Sequence, residues 1–145
     1  MAKCVQLLHS IHSSALDSAL QNGLRAESEF PHLDVDIRQG VVYCWMSKDD
    51  DKMSVGGQRP DRVYVQVTVD EDRCTVADMT YISLAMMYHE GQGSKPKNLE
   101  AAKLFAEIYR VTAVPLSEYK PGMFHTPEVL VKGDIGPAYI RVLDD

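Results

Sequence analysis

Cysteine is scarce in this chain, and the three present, Cys4, Cys44 and Cys74, are odd in number. No two are spaced Cys-x-x-Cys, which argues against a structural zinc site. Their apolar, strand-like settings point to reduced core residues rather than a disulfide framework. Long hydrophobic runs are lacking too. Nothing approaches the roughly 18–20 apolar residues of a membrane helix, and no basic-then-apolar leader opens the sequence. No membrane partner is expected, and the expected location is cytoplasmic. There is no run of Lys and Arg: 21 acidic residues outweigh 15 basic ones, for a net charge of −6. An acidic domain repels phosphate backbones, so nucleic acid is a disfavoured partner. No phosphate loop or dinucleotide glycine motif occurs, Gly91-Gln92-Gly93 being too short to count. No serine stands in a nucleophile elbow.

What is there suits one domain over residues 1–145: 45% of the 145 residues are hydrophobic and 25% charged. A first strand is expected from about Cys4 to His9. Ser14 to Asp17 reads as a capping box, opening a helix whose Leu16, Ala19, Leu20 and Leu24 recur at helical spacing and whose stop is Gly23. Arg25 to Gly40, with Pro31, reads as an irregular connection. Val41 to Met46 is a continuous apolar run of the kind buried on both faces. Ser47 to Met53 suggests one helical turn, and Gly56, Gly57 and Pro60 a loop. Val63, Val65, Val67 and Val69 alternate with polar residues, the clearest half-buried strand in the chain. After an Asp70–Asp72 turn, Cys74 to Ala77 returns as a short strand in a hairpin. Two helices follow. One runs from about Thr80 to Glu90, with Ile82, Ala85, Met86 and His89 on one face. The other runs from about Asn98, its N-cap, to Val111, with Leu99, Ala102, Phe105, Ala106 and Tyr109 on one face. Gly91 to Pro96 joins them as a loop, and strands from Glu128 to Val131 and about Tyr139 to Leu143 close the chain. The order of elements predicts an α+β domain.

Most polar clusters have a plain structural reading. His9 and His12 are three apart in a strand-to-loop setting that does not make a metal pair, and no metal site is expected. Asp49-Asp50-Asp51 lacks the alternating ligands and closing Glu of a calcium loop, and reads as a solvated acidic turn. His89, Glu90 and His125 read as surface or cap residues.

Two end motifs carry more. Val5-Gln6-Leu7-Leu8-His9-Ser10 is a strand ending in a histidine and a hydroxyl, followed by a helix closing in Asn22-Gly23-Leu24. Thr126-Pro127-Glu128-Val129-Leu130-Val131 is a late strand bearing one acid, followed by Ile135 and Ile140. Between them lie Val42-Tyr43-Cys44-Trp45-Met46-Ser47 and the strand pair ending in Thr75-Val76-Ala77-Asp78. In this order the motifs resemble the ADP-ribosyltransferase fold, nearest to the DNA-targeting bacterial toxins and the tRNA 2′-phosphotransferases. That resemblance implies a single domain with a split mixed or antiparallel sheet and flanking helices. It implies NAD as cosubstrate and transfer of ADP-ribose to an acceptor, or hydrolysis of NAD.

By the same resemblance Glu128 is the catalytic carboxylate, stabilising positive charge on the ribose and positioning the acceptor. His9 holds the adenosine-side ribose, for which a neutral imidazole offers both a donor and an acceptor. Ser10 helps to orient the nicotinamide end. Tyr43 or Ser47 supplies the central element, a stacking ring or a hydroxyl, and the sequence leaves both open. Each also has a structural alternative: a hydrogen-bonding strand Glu, a strand-end His bonded to backbone, a core Tyr. The chain departs from the family in two ways. Thr126 stands where arginine-modifying members carry a second acid two residues before the glutamate, which disfavours arginine as acceptor. The arginine that toxins offer to the NAD phosphates has only Arg25 and Arg38 as stand-ins. An unidentified protein or small-molecule acceptor is favoured over nucleic acid. The rival expectation is a non-catalytic ligand- or protein-binding module on the same scaffold, using the cleft or the face around Met86 and Met87. A 2′-phosphotransferase would need converging basic residues that the sequence does not display.

Overall fold

The computed structural model describes residues 3–28, 33, 35–51, 61–91 and 96–143. The expected loop at Gly56, Gly57 and Pro60 lies outside the described residues, as do Pro31, Met53 and the middle of the Gly91–Pro96 connection. The strands are β1 (Cys4–His12), β2 (Val41–Cys44), β3 (Arg62–Asp70), β4 (Cys74–Asp78), β5 (Val114–Pro115), β6 (Pro127–Lys132) and β7 (Ile140–Val142). The helices are α1 (Leu16–Asn22), α2 (Met79–Glu90) and α3 (Leu99–Thr112), and the fold is α+β.

The valine alternation dictates the first sheet. Val65, Val67 and Val69 of β3 are buried, and β3 is the middle strand of an antiparallel sheet ordered β1-β3-β7. The second sheet is ordered β2-β6-β4-β5, with antiparallel pairing throughout. The two meet edge to edge where Leu8 and Trp45 exchange backbone hydrogen bonds, each N···O distance 2.8 Å. The period of two along β6 sorts its side chains: Val129 and Val131 enter one core with Val65, Val67 and Val76, whereas Leu130 enters another with Ile82, Ala85, Ala106 and Tyr109. Glu128 is in phase with Leu130 and meets the same helices. α2 and α3 pack on that face, with Tyr88 and Phe105 stacked at 5.6 Å.

Several expectations are corrected. The first strand does not stop at His9. Its register with β3 runs from Cys4 opposite Asp70 to His12 opposite Arg62, so His9 and Ser10 are mid-strand. The start of the first helical segment is capped by His12, whose imidazole accepts from the Ser14 N–H at 3.1 Å, and not by a Ser14 box. β3 and β4 do not form a hairpin: β1 and β7 occupy both edges of β3, while β4 lies between β5 and β6. β5 was not anticipated from the sequence. Leu99 is 55% exposed at the start of α3 rather than on its buried face. Cys4 is exposed, and only Cys44 and Cys74 are core thiols. Burial pushes both of these up, Cys74 to about 11, so neither is a ready nucleophile.

Gly23 ends α1 as expected, its N–H donating to Ala19 O at 2.9 Å. It holds φ at +85°, and a Cβ there would lie 2.3 Å from the Ile135 carbonyl oxygen. That close approach lets Leu24 and Ile135 pair through two backbone bonds of 2.8 and 2.9 Å. Gly23→Ala is therefore expected to destabilise the domain by roughly 1–3 kcal/mol, read as a lower urea midpoint. An unchanged midpoint would contradict this close packing.

Candidate functional site

A cleft of about 690 Å³ opens between the two sheets, beside α2. This is within the range of small-molecule sites. His9 and Ser10 of β1, Tyr43 of β2 and Glu128 of β6 all line it. These residues are far apart in sequence and are brought together by the β1–β2 edge contact and the β2–β6 pairing. Ser47 does not line the cleft; it is exposed just before a 3-10 turn at Lys48–Asp50. Of the two central candidates, Tyr43 is the one at the cleft. Arg62 from β3 and Met79, Ser83 and Met86 from α2 complete much of the wall. The α2 residues recur at helical spacing, so one face of the helix is presented.

Glu128 is only 2% exposed and is held from two sides. Arg38 Nη1 donates to its Oε2 at 2.5 Å, and Tyr109 Oη donates to the same oxygen at 2.7 Å. Arg38 Nη1 also donates to Tyr109 Oη at 2.9 Å, closing a triangle. The Arg38 guanidinium lies 4.6 Å from the Tyr43 ring centroid, and Tyr43 Oη donates to the Arg38 carbonyl at 2.7 Å. Burial opposes the charge on Arg38, but Glu128 and Tyr109 outweigh it and hold the guanidinium above even its usual range. Burial, then the Glu128 charge, pushes the Tyr109 phenol well up, so it stays a donor. Among the described residues, the Glu128 carboxylate faces the Arg38 guanidinium as an ion pair.

His9 is fixed by its backbone neighbour across the sheet junction. Its Nδ1 lies 2.6 Å from the Tyr43 carbonyl oxygen. A carbonyl only accepts, so Nδ1 carries the proton and Nε2 is left as an acceptor. Burial, assisted by the Arg62 charge, lowers the His9 pKa against the opposing pull of the Tyr43 bond and Glu27. Arg62 is anchored on Ser10, its Nε donating to Oγ at 3.1 Å and its Nη2 to the carbonyl at 2.7 Å.

The acidic turn is also corrected. Asp51 is 3% exposed, lines the cleft and accepts from Tyr64 Oη at 2.9 Å. Another buried acid, Asp78, caps α2 by accepting from Thr80 N–H at 3.0 Å. It also accepts from the N–H groups of His125 and Thr126, both at 3.1 Å, fixing the residues that lead into Glu128. Sequence reasoning missed Arg62, Tyr109 and Asp78. Arg62 is in phase with Tyr64, Gln66 and Thr68 on β3, but only the β1–β3 register sets it near Ser10. Tyr109 reads from its spacing as core, which it is, apart from its hydroxyl. Among the described residues, no group of three or more His, Cys, Asp or Glu side chains is set to hold a metal ion, and no helix is long and apolar enough to cross a membrane.

Neither protein-family models nor curated proteins give a match to this chain.

His9 protonates near 6.5 in the unfolded chain and lower in the folded one. Between those values the unfolded state carries the extra proton, so stability falls as pH drops below about 6.5. His9→Asn should flatten the corresponding part of a plot of urea midpoint against pH; identical plots would contradict the buried, neutral imidazole. Asp78→Ala removes the acceptor of three N–H groups and should cost about 2–3 kcal/mol in chemical denaturation.

Proposed function

We propose that the cleft binds NAD and that the protein transfers ADP-ribose to an acceptor or hydrolyses NAD. The observation that carries the reading is the convergence of His9, Ser10, Tyr43 and Glu128 on one cleft. These are the residues that the resemblance to ADP-ribosyltransferases assigns to ribose, nicotinamide end, central position and catalytic carboxylate. In this reading His9 Nε2 accepts a hydrogen bond from a ribose hydroxyl. Arg62, beside Ser10, is the cation for the phosphates, because Arg38 is committed to Glu128. The bond between ribose C1′ and the nicotinamide nitrogen breaks, and the nitrogen leaves with the electron pair. Positive charge on the ribose is met by Glu128, and the acceptor's nucleophilic atom bonds to C1′ and gives up its proton to solvent water. The acceptor is water, a small molecule or a protein group rather than nucleic acid, in keeping with the net charge of −6. A cytoplasmic site of action belongs to the same proposal.

A specific observation favours a second reading, ligand binding without turnover. Glu128 is 2% exposed and ion-paired, which restrains it from approaching a substrate.

Calorimetric titration with NAD followed by assay of nicotinamide release separates the two. Transfer or hydrolysis predicts binding and release, with Glu128→Gln lowering release by roughly 100-fold or more while binding persists. Binding without release rules out hydrolysis and leaves the second reading or a transferase whose acceptor is missing from the assay. Absence of binding at millimolar NAD refutes the NAD reading and leaves a binding module for another ligand or a protein.

A further inference from the structure

A buried ion pair is an expensive way to fill a core. Arg38 and Glu128 have side chains each 3% exposed, and apolar residues of similar volume are commonly as stable or more so. Tyr109 adds its own hydroxyl to the same carboxylate oxygen. These groups arrive from three separate elements: Arg38 from a 3-10 turn at Asp36–Arg38, Tyr109 from α3 and Glu128 from β6. Arg38 and Glu128 reach the cleft wall, whereas Tyr109 stands behind it as a fully buried side chain. Two donors on one oxygen fix the plane of the carboxylate, because rotation about its terminal bond would break both hydrogen bonds.

We propose that Arg38 and Tyr109 are positioning residues that hold Glu128 ionised and in one orientation at the cleft wall. The inference rests on the reading above, in which Glu128 meets the ribose charge. It assigns Arg38 to the carboxylate rather than to the NAD phosphates. Among the described residues, the groups around Glu128 and its partner Arg38 come from several elements. The 3-10 turn gives Arg38, β2 gives Tyr43, and α3 gives Tyr109. The neighbouring strand β4 sets Ala77 opposite it, and the cleft-facing residues of α2 are Met79, Ser83 and Met86. Other charged or titratable residues around the cleft are His9, His12, Glu27, Asp51 and Arg62. Among the described residues, Arg38 is the cation in direct contact with the carboxylate, so its removal raises the carboxyl's affinity for a proton.

The test is the titration of the Glu128 carboxyl by carbon-13 NMR on glutamate-labelled protein, assigned with Glu128→Gln. It is paired with the pH profile of nicotinamide release. Arg38→Met should raise the Glu128 midpoint by at least one pH unit, a tenfold gain in proton affinity. Tyr109→Phe, which keeps the ring and its packing, should raise it by less, and Arg38→Lys should recover part of the wild-type value. The acidic limb of the release profile should move upward in the same order, with KM for NAD little changed. An unmoved Glu128 midpoint in both Arg38→Met and Tyr109→Phe overturns the proposal. So does a midpoint that moves while the acidic limb stays, since the pair is then only structural. If wild type binds and releases nothing from NAD, the NAD reading has failed and the positioning role falls with it. The titration then reports a buried structural ion pair.

Discussion

The Arg38–Glu128 ion pair is the interaction on which the arrangement of this molecule turns. It lies against the central pair of strands in the second sheet, and Tyr109 brings α3 into the same contact. Removing one partner of such a pair leaves a charge stranded in the interior, at a typical cost of about 3–5 kcal/mol. The surrounding core enforces it. Val35, Val41, Leu130, Ile82 and Ala106 form one buried apolar cluster with Tyr109, and this low-dielectric surrounding strengthens the attraction. The same burial denies Glu128 a mobile, solvated carboxylate. It becomes a rigid feature of the cleft wall.

From that fixed wall the rest of the cleft follows by strand pairing. β6 pairs with β2, which carries Tyr43, and the β2 edge meets β1 at Trp45 and Leu8. One residue beyond Leu8, His9 bonds the Tyr43 carbonyl, so the imidazole is tied to the ring that lies beneath Arg38. Ser10 then anchors Arg62 from the neighbouring strand. The Arg38–Glu128 pair forms one part of the cleft wall, and the neutral His9 imidazole with the nearby Arg62 forms another, alongside the carboxylates of Glu27 and Asp51. The α2 side, with Met79, Ser83 and Met86, supplies apolar and polarisable contact.

Much of the fold was legible because it rests on local signals. The valine alternation marks β3, the run from Val41 marks β2, Gly23 stops α1, and Asn98 caps α3 through the Ala101 N–H. Pairing was less legible, since period and propensity say nothing about partners. β1 ran three residues further than its pattern because β3 was there to continue the ladder, and β4 left its sequence neighbour for β6. The candidate site divided in the same way. His9, Ser10, Tyr43 and Glu128 stand in motifs and were found together, while Ser47 lies outside the cleft. Asp51 looked like part of a solvated acidic turn, because burial by Tyr64 depends on a tertiary contact. Arg62 and Tyr109 carry no motif; their roles come from register and packing.

A crystal structure of the protein grown with NAD tests the proposed site most directly. The dinucleotide should occupy the cleft between the sheets, with a ribose hydroxyl within hydrogen-bond distance of His9 Nε2. The phosphates should lie on the Arg62 side, with Glu128 still bonded to Arg38 and Tyr109 beside the nicotinamide ribose. NAD bound on another surface, or an empty cleft at saturating NAD, would contradict it.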